Sequence, residues 1–218
     1  MILNADARDI LAIMPSAHVD LIVTDPPYRT ISGGGGGVGD RPAGMLTKND
    51  GKIFKHNDTP ITDYAADLYR VLKSPGHAYL MTNLLNLWTF RDVLVSVGFQ
   101  VHSLLVWKKQ NTVPNRWYMK NGEFTLFIRK GPARAIYTPG AQMIHDFENP
   151  VGRKSHETEK PVDLMRYYIE ASSRPGDLVF DPFMGTGSTG AAAMVTGRRF
   201  LGVESDLKYF EIAKGRLG

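Results

Sequence analysis

Short apolar runs alternate with helix-period segments along almost the whole of this 218-residue chain, and that alternation leaves few architectures open. Short runs read as strands buried on both faces, and the helices between them must cover those faces, so an α/β fold with a mainly parallel sheet is expected. The expected strands are Val19 to Thr24, His77 to Met81, Phe99 to Trp107, Glu123 to Arg129, Leu178 to Phe180 and Phe200 to Val203. The expected helices are Asp63 to Leu72, Leu85 to Val97 (stopped by Gly98), Pro161 to Ala171, Ser188 to Val195 and Leu207 to Arg216. Proline opens the third of these at a position whose missing N–H does no harm. Neither an internal repeat nor a linker interrupts the series. Residues 1–218 are therefore expected to form one domain, long enough for a single core.

Composition narrows the function classes. No apolar run approaches the roughly 20 residues of a membrane span, and no signal-peptide pattern opens the chain, so no membrane partner and a cytoplasmic (nucleoid-associated) location are expected. The absence of cysteine excludes disulfides and thiolate metal sites, and no metal site is expected. Net charge is only +4, but Lys108 to Arg134 carries seven basic residues against one acid, Glu123, a local excess larger than that of the whole chain. Trp107, Trp117, Tyr118, Phe124 and Phe127 interleave with it. Cations neutralise phosphates and rings stack on bases, so the run suits a nucleic acid, although a solvated sheet edge with core aromatics gives the same pattern.

Two segments resist the alternation. Residues 29–59 hold Gly33 through Gly37 and Gly39 with little apolar periodicity, and should be mobile. They are placed as well for a lid or DNA-contacting loop as for an inert insertion. Residues 131–156 are polar and irregular.

Two motifs carry chemistry. Asp181-Pro182-Phe183-Met184-Gly185-Thr186-Gly187 joins a strand to a helix through a tight glycine turn, where the backbone can approach a ligand closely. Glu204 ends the next apolar run, placed to accept hydrogen bonds from two ribose hydroxyls. Gly185, Gly187 and Gly190 also fit the dinucleotide spacing. Asp181 tips the balance, because a carboxylate in that turn repels pyrophosphate and suits the ammonium of a methionyl group. Phe183 either offers its ring to the cofactor or joins the core.

Asp25-Pro26-Pro27-Tyr28 directly follows the strand Val19 to Thr24, at the strand end where open α/β sheets bind ligands. An exocyclic amino group on a base is a poor nucleophile, because its lone pair is delocalised into the ring. Hydrogen bonds to the Asp25 carboxylate and the Pro26 carbonyl would free that pair, two prolines with fixed φ would hold the acceptors rigid, and Tyr28 would stack on the base. A base inside duplex DNA cannot reach such a pocket without being flipped out.

Taken in order, these residues resemble the beta group of amino-methylating DNA methyltransferases, the N6-adenine and N4-cytosine family. The resemblance implies a Rossmann-like seven-stranded sheet, mostly parallel with one antiparallel strand, in a circularly permuted motif order. It implies S-adenosyl-L-methionine as cofactor, double-stranded DNA as partner, and catalysis by Asp25, Pro26, Pro27 and Tyr28. Asn4-Ala5-Asp6 is similar to the family's opening, which makes Asp6 a ligand of the cofactor's adenine. His156-Glu157-Thr158-Glu159-Lys160-Pro161 is similar to the segment that closes over the methionyl end, which adds Lys160 to Asp181, Phe183, Gly185, Gly187 and Glu204. Val106 to Lys109 and Gly122 to Phe124 resemble segments lining the target-base pocket. Aspartate before Pro-Pro-Tyr favours adenine N6, with cytosine N4 the nearest alternative, then RNA or an inactive DNA-binding relative. Only about residues 131–155 are available for target recognition, so a homodimer or a short target sequence is expected.

Overall fold

The computed structural model describes residues 1–28, 59–113, 118–148 and 159–218. The glycine-rich expectation at 29–59 falls almost wholly outside them, as do Trp117 and His156. In chain order the elements are β1 (Ile2–Asn4), α1 (Ala7–Ile13), β2 (Val19–Thr24), a 3-10 turn (Ile61–Asp63), α2 (Ala65–Val71), β3 (Leu72–Thr82) and α3 (Leu87–Ser96). There follow β4 (Gln100–Val113), β5 (Lys120–Lys130), β6 (Ile144–Asp146), α4 (Val162–Ser172), β7 (Leu178–Asp181), α5 (Ser188–Val195), β8 (Arg199–Glu204) and α6 (Leu207–Leu217).

The strands form one sheet in the order β1-β8-β7-β2-β3-β5-β4-β6. Strand β5 runs antiparallel to both its neighbours, while the other pairs are parallel. The seven-stranded, largely parallel arrangement is thus present, with the three-residue β6 added at the β4 edge. Side chains alternate across the sheet. In β2, Ile22 enters a core shared with α1, α2 and α3, whereas Leu21 and Val23 enter another shared with α4, α5 and α6. All three are fully buried, each contributing about 1.5–3 kcal/mol by burial. Helices therefore cover both faces. Pro161 sits at the cap of α4, one residue before the helix rather than in its first position.

The chain leaves β2 towards α2 on one face and leaves β7 towards α5 on the other. The gap between these paired strands is a topological switch point, where diverging connections open a crevice at the strands' carboxyl ends. Among the described residues no helix is long and apolar enough to cross a membrane.

Candidate functional site

Four acids singled out in the sequence stand at or just beyond the carboxyl ends of four consecutive strands. Asp6 follows β1, Glu204 ends β8, Asp181 ends β7 and Asp25 follows β2. With neighbouring strands about 4.8 Å apart, the row spans roughly 15 Å. An extended nucleoside carrying an amino-acid arm fits such a row better than a compact ligand does.

The glycine turn is built around Asp181. Its carboxyl is 2% exposed and its Oδ1 accepts the Thr24 hydroxyl at 2.7 Å and the Phe183 N–H at 3.1 Å. Burial pushes the group up to about 7, against the hydrogen bonds from Thr189, Thr24 and the Phe183 amide, while the nearby charge of Asp25 adds to the rise. Gly185 and Gly187 take φ of +53° and +86°, a region that favours glycine. A Cβ added at Gly185 would meet nothing within 4 Å, so the turn leaves open space there. Glu204 braces the turn, its Oε2 accepting the Gly185 N–H at 3.0 Å and its Oε1 the Asp206 N–H at 2.8 Å.

Phe183 is partly buried and meets the Tyr64 ring edge-on at 5.0 Å. Tyr64 is a core residue that the sequence did not single out, and its buried hydroxyl has no hydrogen-bond partner among the described residues. Asp6 caps α1, accepting the Arg8 N–H at 2.8 Å and pairing with the Arg8 guanidinium at 2.7 Å. Those bonds, the Arg8 side chain foremost, hold its carboxyl below the usual range against the opposing effect of burial. The strand it follows pairs with the strand that Glu204 ends, Asn4 and Glu204 being register partners.

Around Asp25 the surroundings are ionic. Lys160 Nζ lies 2.7 Å from Asp25 Oδ2 and 3.1 Å from Glu123 Oε2, and Lys109 pairs with the other oxygen of Glu123. Burial opposes the charge on Lys160, but Asp25 and Glu123 outweigh it and raise its pKa well above the ordinary amine value. Burial likewise opposes the charge on Glu123, and the two lysines outweigh it, holding the carboxyl below its ordinary range. Asp25 Oδ1 is buried and has no hydrogen-bond partner among the described residues. Tyr28 meets Phe90 of α3 edge-on at 6.3 Å, and burial raises its pKa so that it stays a phenol.

Lys160 therefore sits against the Asp25 turn, beside its expected place over the glycine turn. Lys109 and Glu123 lie in the two segments that the resemblance places at the target-base pocket, but their ionic link to Asp25 through Lys160 was not anticipated from the sequence. The available signal was Glu123 itself, the lone acid in a basic run.

The basic, aromatic run does not form one surface. Strand β5 returns antiparallel, so Lys108 and Lys109 lie towards the end of the sheet that carries Asp25, whereas Arg129 and Lys130 lie at the other end. There Lys130 donates to the carbonyls of Tyr69 and Leu72, and Arg134 donates to the carbonyl of Ser172. Trp107 is core, its indole N–H donating to the Phe147 carbonyl at 2.9 Å, and Tyr118 is 92% exposed. Beside β6 a cavity of about 410 Å³ is lined by Thr138, Gln142, His145, Asp146, Phe147 and Tyr167.

Comparison with known proteins agrees with this geometry. The model of the DNA methylase family matches residues 19–215. The Type II methyltransferase M.HinfI of Haemophilus influenzae is 30% identical over 255 residues, spanning 99% of this chain and 67% of that protein. The Type II methyltransferase M2.DpnII of Streptococcus pneumoniae is 28% identical, over 100% of this chain and 89% of the relative. Among solved structures, M1.HpyAVI in complex with SAM gives a TM-score of 0.75 at 26% identity, covering 100% of this chain and 99% of that one. The cytosine-N4-specific PvuII DNA methyltransferase shares the fold, with a TM-score of 0.77 at 15% identity and coverage of 100% and 86%.

Proposed function

The chain belongs to the DNA methylase family, and from that premise we propose that it transfers a methyl group from S-adenosyl-L-methionine to N6 of an adenine flipped out of duplex DNA. The observation that carries the proposal is the state of Asp25. One oxygen is gripped by Lys160 while the other is buried with no hydrogen-bond partner among the described residues, an acceptor open to a donor. An unsatisfied buried acceptor costs about 1–3 kcal/mol, which a donated amino N–H recovers.

S-adenosylmethionine supplies an electrophilic methyl on a sulfonium. The residues of this chain hold and orient around it. Asp181 would hold the methionyl ammonium, Glu204 the ribose hydroxyls and Asp6 the adenine, with Phe183 flanking and Gly185 and Gly187 letting the cofactor approach the backbone. The open space at Gly185 and the buried carboxyl of Asp181 both fit this group. Lys160 holds Asp25 in place. Asp25 Oδ1 and the Pro26 carbonyl accept the adenine amino hydrogens, which localises the lone pair on N6, and Tyr28 stacks on the base. Transfer would form the N–C bond as the C–S bond breaks, and the residues of this chain would contribute positioning and electrostatics, the main sources of acceleration. The product ammonium is far more acidic than the starting amine, so Asp25 need not be a strong base.

Residues 1–218 act in this reading as one methyltransferase domain. Residues 131–148, with the cavity beside β6, contribute the described part of target recognition.

The test is incubation with tritiated S-adenosylmethionine and unmethylated DNA, then nucleoside digestion and mass spectrometry. N6-methyladenine is the expected product. N4-methylcytosine would keep the mechanism and change the base, and labelled RNA with unlabelled DNA would overturn the substrate.

A further inference from the structure

Four ionisable side chains from separate parts of the sequence meet in strict alternation of sign. Lys109 comes from β4, Glu123 from β5, Lys160 from the residues before α4, and Asp25 from the turn after β2. Lys109 and Glu123 are about one-third exposed or less and Lys160 is 9% exposed, so water screens these charges poorly. Each inner member is shared: Glu123 spends one oxygen on each lysine, and Lys160 spreads its ammonium over two carboxylates. Such a chain is electrically neutral as a whole. Deleting one member leaves an uncompensated charge a few ångströms from Asp25, which is costly in a site shielded from water.

We propose that Glu123, anchored by Lys109, is a positioning residue for methyl transfer, sharing the Lys160 ammonium so that only one oxygen of Asp25 is occupied and the other stays open to the substrate amine. The inference rests on the reading of Asp25 as the amine acceptor. With Glu123 neutral, Lys160 loses its second carboxylate and settles fully on Asp25, competing for Oδ1. The pocket also gains a net positive charge where the transition state places a cation on nitrogen. Both effects slow the chemical step. Neither removes a hydrogen bond of Asp181, so cofactor affinity changes far less than the rate.

The test measures single-turnover methylation and S-adenosylmethionine affinity in Glu123→Gln, Lys109→Gln and the double variant. Glu123→Gln is expected to lower the rate on the order of 10- to 100-fold, the scale of one mispositioned polar contact at a reacting centre, with cofactor Kd within about twofold. Lys109→Gln costs less. The double variant restores local neutrality and is expected to be more active than Glu123→Gln alone, a recovery that a merely structural role would not produce. A wild-type rate in Glu123→Gln, or a double variant no better than that single one, overturns the inference. Should Glu123→Gln melt below the assay temperature, Lys109→Arg against Lys109→Gln carries the test. Lys109→Arg, which keeps the charge, is expected to be faster than Lys109→Gln, and equal rates in the two overturn it. Full activity in Asp25→Ala would instead sink the underlying assignment of Asp25.

Discussion

Asp25 and Asp181 stand at the ends of two paired strands, yet their carboxyl groups have opposite surroundings. Asp181 is enclosed by neutral donors, the hydroxyls of Thr24 and Thr189 and the amide of Phe183, and forms no ion pair among the described residues. Asp25 has a lysine against one oxygen and, among the described residues, no hydrogen-bond partner on the other. A carboxyl held by neutral groups is poised to meet a cation brought by a ligand. A carboxylate already neutralised by lysine has no need of a second cation, and its spare oxygen suits a neutral N–H donor. The same residue type serves two purposes because burial and neighbours differ.

The sharpest way to break this contrast is Asp25→Ala. Methylation should fall by at least ~10³-fold while S-adenosylmethionine binding, measured by calorimetry, stays near wild type. Parallel loss of cofactor binding would erase the distinction between the two acids. Tyr28→Ala is expected to lose most activity, up to about 100-fold in kcat/KM, the scale of one base stacked on a ring. An unchanged kcat/KM would remove Tyr28 from the base site.

Asp181→Ala should weaken the cofactor about tenfold or more, as expected for one charge-assisted hydrogen bond, and normal affinity would mean the site is misplaced. Acidity sharpens the same point. Asp181 is raised to about 7, so the cofactor-free protein holds a proton that the unfolded chain loses near pH 4, and this group's contribution to stability declines as pH rises through that window. If the ionised form is the one that binds the cofactor's ammonium, affinity should tighten several-fold from pH 6 to about 7, below the range where an α-ammonium deprotonates. Asp181→Asn should flatten that dependence in a titration series. The smallest effect expected is at the far end of the row. Asp6→Ala removes the cap of α1 and should cost about 1 kcal/mol in thermal unfolding, with a modest loss of cofactor affinity.

How far these features were legible follows from their physics. Helix α5 spans Ser188–Val195 as expected, because a glycine turn and a small-residue run mark both its start and its packing. Strands β2, β7 and β8 were legible as apolar runs buried on both faces. Strand β1 and strand β6 have three residues each and helix α1 has seven, too few for any period to register. The charge alternation around Asp25 was invisible because its members are far apart in sequence, and periodicity says nothing about pairing at such range. The basic run misled for a simpler reason. A hairpin folds a contiguous stretch back on itself, so neighbours in sequence end at opposite ends of the sheet.

The three glycines of the turn look alike in a pattern search, and a mutational survey would separate them. At Gly190, in the first turn of α5, an added Cβ would lie 2.7 Å from the side chains of both Phe200 and Leu217, so alanine there must displace them and shows up as lost stability. Gly187 combines a left-handed backbone with contacts to Leu217 and Ala213 at 3.2 and 3.3 Å, so it is constrained twice. Gly185 has the backbone constraint and empty space beyond it. A screen for folding alone would score it as the most forgiving of the three, and a screen for cofactor use would reverse that order.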